Sequence, residues 1–65
     1  MKILVNNEET DFQGKSIADL IVSMSLSMQG CAIAIGTKII PASKWEEYIL
    51  QEGDNVTIIR ATQGG

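Results

Sequence analysis

Val56-Thr57-Ile58-Ile59-Arg60-Ala61-Thr62-Gln63-Gly64-Gly65 is the stretch whose reading decides the fold. Its first half alternates as a strand does, with Val56 and Ile58 on one face and Thr57, Ile59 and Ala61 on the other. No polar residue interrupts Ile58-Ile59, which fits a strand in the middle of a sheet, apolar on both sides. After Ile59 the tail is expected to begin at Arg60, with its two glycines ending in a free carboxylate. Residues without a Cβ are costly to order and add nothing to a core. Their useful property is thinness: an extended Gly-Gly end passes through a narrow channel and delivers a carboxylate to a reactive centre in another protein. The plainer reading of the same residues is a frayed terminus. Gly65 is therefore expected to be the working residue, with residues 1–59 as the body and residues 60–65 as the tail of one domain.

Sixty-five residues allow one small core and no substrate pocket with walls of its own. A single cysteine and no histidine rule out a disulfide framework and a zinc site. Five Lys plus Arg against eight Asp plus Glu leave a net charge of −3, which gives no electrostatic basis for binding nucleic acid or an anionic membrane. A basic partner surface suits it better. Met1-Lys2-Ile3-Leu4-Val5 has no long apolar run behind a basic segment, and no stretch reaches membrane-spanning length, so a cytoplasmic protein is expected.

Outward from the last strand, Ile3-Leu4-Val5 is a second apolar run, ended by Asn6-Asn7, residues that tolerate the positive φ of a tight hairpin. Glu8 to Gln13 then reads as an edge strand with Phe12 as its large apolar residue. Its carboxylates are expected to be solvated rather than paired for acid/base work. Ser16 is a helix N-cap, and Asp19 lies near the positive end of the helix dipole. Ile17, Leu20, Ile21 and Met24 form one stripe, predicting a helix to about Ser25 that frays toward Gly30. Cys31 to Ile35 alternates small residues with Ile, a strand packed on one face and open to close approach on the other. Cys31, with no histidine to serve as base, reads as a buried inert thiol. Lys38-Ile39-Ile40 is a short strand ended by Pro41, and Ser43 to Glu46 has capping-box spacing for a further helical turn. Trp45 and Tyr48 would anchor that turn to the core edge. If the first and last strands pair side by side in parallel, Leu4, Ile59 and Ala61 make an exposed apolar patch beside the tail, a candidate partner-binding site.

Two hairpins around one helix, with the terminal strands adjacent, is an α+β arrangement of the β-grasp kind: a mixed sheet of four to five strands on one helix. The whole chain resembles the ubiquitin-like sulfur carriers, and within them the ThiS family of thiazole biosynthesis. The residues that carry the likeness are Met1 to Asn6, Ile39-Ile40-Pro41-Ala42-Ser43-Lys44-Trp45, Glu52-Gly53-Asp54 and Gly64-Gly65. The Pro-x-x-x-Trp spacing is the most specific of them. The resemblance implies that a ThiF-like adenylating enzyme, using ATP and Mg²⁺, activates the Gly65 carboxylate. Sulfur from a cysteine desulfurase or rhodanese-type persulfide then makes a thiocarboxylate, which is handed to a ThiG-like thiazole synthase. On that reading Thr62, Gln63 and Gly64 are presented to the partner, and the protein is a co-substrate with no catalytic group, metal or bound cofactor, monomeric when free. The alternatives are a MoaD-like small subunit of molybdopterin synthase, a ubiquitin-like protein modifier, and an interaction module whose tail is idle.

Overall fold

The computed structural model describes residues 1–27 and 29–60. Five strands and one α-helix follow in the order β1 (Lys2–Val5), β2 (Glu8–Asp11), α1 (Ile17–Ser23), β3 (Cys31–Ile35), β4 (Lys38–Ile40) and β5 (Asn55–Arg60), with a 3₁₀ turn at Ala42–Lys44. The sheet order is β2-β1-β5-β3-β4, with β1 and β5 parallel at its centre and the two hairpins on either side. This is the expected β-grasp topology. Arg60 is the last residue of β5 rather than the first of the tail.

The inner face is built by alternation. Ile3 and Val5 of β1, Ile33 of β3, Ile40 of β4, and Val56 and Ile58 of β5 are all buried and meet Ile17, Leu20 and Ile21 of the helix. Asn6 and Asn7 both adopt positive φ, 51° and 69°, which the two-residue turn between β1 and β2 requires. Phe12 lies one residue beyond β2 and is buried against the helix end of the core. Gly14 follows because the chain passes close there: a Cβ would stand 2.7 Å from both the Asp19 Cβ and the Phe12 ring.

The start of the helix is satisfied by two parts of the chain at once. Ser16 Oγ accepts from the Asp19 N–H at 3.1 Å, and Asp19 Oδ2 accepts from the Ser16 N–H at 3.1 Å and the Lys15 N–H at 2.9 Å. This reciprocal capping box satisfies donors that no intrahelical carbonyl can reach. The amide bonds from Lys15, first in size, and from Ser16, second, hold the Asp19 carboxyl below its ordinary value. The next two free donors go to the distant turn: Ile17 N–H to the Tyr48 carbonyl and Ala18 N–H to the Trp45 carbonyl, both at 3.1 Å.

The helix ends at Ser23, two residues before the expected Ser25. Ser25 turns into the left-handed region at φ 58°, its N–H bonding the Val22 carbonyl while the Leu26 N–H bonds that of Ile21. This is a Schellman ending with serine where glycine is usual, and Leu26 packs back onto the core as its apolar contact. Met24, placed by its spacing on the apolar stripe, is 42% exposed because the helix has already stopped.

The expected capping box at Ser43 and Glu46 does not form. Pro41 occupies the cap position of the 3₁₀ turn, without a side-chain hydrogen bond. Trp45 is not at the core edge either: it is 1% exposed, and its Nε1–H donates to the Ile40 carbonyl at 2.8 Å. Tyr48 is half-buried beside it.

Candidate functional site

Ala61, Thr62, Gln63, Gly64 and Gly65, the residues expected to form the working end, lie outside the described residues. What the structure places is the strand that precedes them in the sequence. β5 runs through the centre of the sheet to Arg60, which pairs with Cys31 at the start of β3. Val56 and Ile58 point into the core, so β5 is held by packing as well as by its neighbours.

The face of the sheet away from the helix is divided. On β1 and β2 it is charged: Lys2 opposes Asp11, Leu4 opposes Glu9, and Lys2 Nζ lies 3.9 Å from Glu9 Oε1. On β5, β3 and β4 it is apolar. Ile59 opposes Ala32, Thr57 opposes Ala34, and Ala34 in turn opposes Ile39, so these five residues form one surface. Ile39 is 62% exposed and Ile59 is 55% exposed. Of the two alanines between them, Ala32 is exposed and Ala34 is buried.

Leu4 and Ile59 share this face, but the structure does not bring them together. Leu4 pairs with Asn55, four residues before Ile59 on β5, a separation of about 13 Å at the usual strand rise. Leu4 is also half-buried. Ile59 instead joins Ala32 and Ile39, which are absent from the patch expected on sequence grounds. The alternation of alanine and isoleucine in β3 is a signal for one of them; nothing in Lys38-Ile39-Ile40 by itself says which isoleucine faces outward.

Cys31 is intermediate in exposure rather than buried, and its thiol donates to the Ser27 carbonyl at 3.1 Å. The carboxylates of β2 face solvent, and Asp11 meets the N-terminal ammonium at 3.4 Å. Among the described residues no three His, Cys, Asp or Glu side chains gather as a metal site would require. No helix among them is long and apolar enough to cross a membrane. The geometry is thus that of an exposed apolar face beside the end of β5.

The family model that describes the ThiS family matches residues 2–65. The chain belongs to the ThiS family. It is 29% identical over 66 residues to the sulfur carrier protein ThiS of Escherichia coli K12, with all of both chains covered. Its fold matches the crystal structure of the thiamine biosynthesis protein ThiS from Geobacter metallireducens with a TM-score of 0.82 at 14% identity, all of both chains covered. The solution structure of a thiamine biosynthesis protein from the same organism gives the same TM-score and identity, with 88% of that chain covered. The family is that of the sulfur carriers of thiamine biosynthesis, and the expected fold and family are both borne out.

Proposed function

We propose that this protein carries sulfur on the carboxyl carbon of Gly65 for thiazole formation, and that its body is gripped by partners through the apolar face of Ile59, Ala32 and Ile39. The observation that supports this most is the placement of β5. The strand that leads into Gly64-Gly65 is central, and it presents Ile59 on an open apolar face one residue before it ends.

The chemistry needs activation because a carboxylate is a poor electrophile; its pKa is about 3.5, and its charge repels nucleophiles at pH 7. A ThiF-like enzyme with ATP and Mg²⁺ supplies it. A Gly65 oxygen attacks the α-phosphorus, pyrophosphate leaves, and an acyl adenylate forms. A partner's persulfide then adds to the carbonyl carbon and expels AMP. A thiol cleaves the S–S bond of the resulting acyl disulfide, becoming oxidised to a disulfide itself, and the thiocarboxylate stays on Gly65. A ThiG-like thiazole synthase takes the sulfur. This chain acts as a co-substrate. Its contribution to rate is positional, because docking the body raises the effective concentration of the tail at the reacting centre.

The test is intact-mass spectrometry after incubation with an adenylating enzyme of this class, ATP, Mg²⁺ and a persulfide donor. One oxygen should be replaced by sulfur, and a chain lacking Gly65 should be unchanged. Conversion of the shortened chain would refute the assignment to Gly65, and conjugates to lysines of other proteins would favour a modifier instead.

A further inference from the structure

We propose that Asn6 is a positioning residue for the tail: its side-chain oxygen, in place of a backbone carbonyl, holds β5 on the β1 side at the last point before the tail begins. This rests on the carrier reading above. The ladder between β1 and β5 is short. It pairs Leu4 with Asn55 and Val5 with Val56, and is extended by the Asn6 N–H donating to the Val56 carbonyl at 2.8 Å. The next donor of β5 on that side is the N–H of Ile58, which a longer parallel ladder would send to the backbone carbonyl of Asn6. Asn6 has by then entered the hairpin turn, at φ 51°. Its Oδ1 takes the Ile58 N–H instead, at 2.8 Å and partly buried, across 52 residues of sequence.

The two flanks of β5 are therefore held unequally near its end. On its other side β5 stays paired with β3 as far as Arg60. On the β1 side, no β1 residue pairs with β5 beyond Val56 among the described residues, and the Asn6 side chain is the bond that continues the attachment. The end of β5 has backbone pairing on one flank and a single side-chain bond on the other. Gly65 is seven residues beyond Ile58 in sequence, a distance of at most about 23 Å at full extension. A swing of about 10° at Ile58 would then move such an end by about 4 Å, more than the tolerance of a reacting carbonyl in a partner's site. An asparagine here does two things: it accepts the turn's positive φ and it supplies the acceptor. Glycine does only the first, and aspartate does both.

That difference makes the test. Asn6→Gly and Asn6→Asp are compared with the unaltered protein by amide hydrogen exchange and by steady-state thiocarboxylation, at a temperature where all three are folded. Asn6→Gly should lose roughly tenfold or more of the protection at the Ile58 amide, while that at Ile33 is unchanged. Its kcat should fall about tenfold with KM changed less than about twofold, since the docking face is intact and only the aim of the end is altered. Asn6→Asp should restore both readouts. Ile17→Val, a core truncation on the helix rather than on β5 or a strand paired with it, sets the kcat expected from lost stability alone. An Asn6→Gly protein with unchanged kcat beside an active unaltered protein overturns the positioning role only, as does an Asn6→Asp protein as impaired as Asn6→Gly. Failure of the unaltered protein to acquire sulfur overturns the carrier reading and the positioning role with it.

Discussion

Replacing Trp45 by phenylalanine isolates the contribution of a residue that belongs to the most specific motif in the chain. The indole is 1% exposed, and its N–H donates to the Ile40 carbonyl at 2.8 Å in a buried setting. Phenylalanine keeps an aromatic ring in the site but removes the donor, leaving that carbonyl without its partner at a cost of about 1–3 kcal/mol. The smaller ring also gives up the equivalent of about two carbon groups of apolar burial, at about 0.8 kcal/mol each. Together these come to about 3–5 kcal/mol, against a total of about 3–10 kcal/mol for a domain of this length. For such a domain the midpoint of thermal unfolding should drop by about 10–40 °C.

Far-UV circular dichroism is the suitable probe, because the substitution removes the tryptophan fluorescence. Urea unfolding should show a lower midpoint with an unchanged slope, meaning that the native state is destabilised without a change in the surface exposed. Below its transition the variant should still accept sulfur at the ordinary rate, since a side chain buried this completely offers a partner nothing to touch. A midpoint within about 3 °C of the unaltered protein would refute the reasoning. It would mean that the indole bond is replaceable by water and that the packing around Trp45 is slack.

Ser25→Gly should stabilise the protein by about 0.5–1 kcal/mol, because Ser25 sits at φ 58° in the αL position that ends the helix; a lowered melting temperature would show that the serine makes a compensating contact. Asp19→Asn should remove a pH dependence. The Asp19 carboxyl is held below its ordinary value of 3.8, so its contribution is complete above that value and is lost as pH falls through the lower folded one. The stability gap between the two proteins should therefore narrow as pH falls below the ordinary carboxylate value, and a gap that stays constant into acid would contradict the assignment. Ile39→Asp, at a residue 62% exposed, should change stability by less than about 0.5 kcal/mol yet raise the KM for adenylation about tenfold or more by placing a charge in the apolar docking face. An unchanged KM would move the docking site elsewhere.

Periodicity makes the sheet legible. The alternation of β1, β3 and β5 marks the strands and their inward faces, and the two-sided apolar character of Ile58-Ile59 marks the central position of β5. Local chemistry also makes Ser16 legible as a cap. What stays hidden is whatever depends on a partner distant in sequence. Nothing near Trp45 says that its carbonyl receives the Ala18 N–H, or that the Tyr48 carbonyl receives that of Ile17, yet these bonds are why the 3₁₀ segment lies where it does. Ser43 and Glu46 have the spacing of a capping box, but Pro41 sets the turn two residues earlier and shortens it to 3₁₀. The helix end is hard to place because Ser-Met-Ser-Leu carries no glycine to mark it. The apolar Leu26, one residue after the αL position, is the signal that a stop of this kind leaves. Leu4 and Ile59 do share one face, as alternation requires. Their separation along it follows from register, which the pattern alone leaves open when no turn joins the two strands.

Asn6 shows how the two kinds of information meet. As a turn residue it is visible in the sequence, because a hairpin between two extended runs needs a residue that accepts positive φ. Its second task arises only after folding has brought β5 alongside, and it answers a constraint of the topology. A first strand that must turn back into a hairpin cannot also accompany the last strand to its end. The longer β5 therefore outruns β1 where its direction matters most for anything attached beyond Arg60. On the carrier reading, the body can influence a reaction at such an attachment in two ways, through where a partner grips it and through where the attachment points. Ile59 faces outward and Ile58 inward on adjacent residues of this one strand, so the grip and the aim are set by the same few residues. Rigidity at the end of β5 is then a functional requirement of this small fold, and the side chain at the hairpin is what supplies it on the flank that the backbone leaves open.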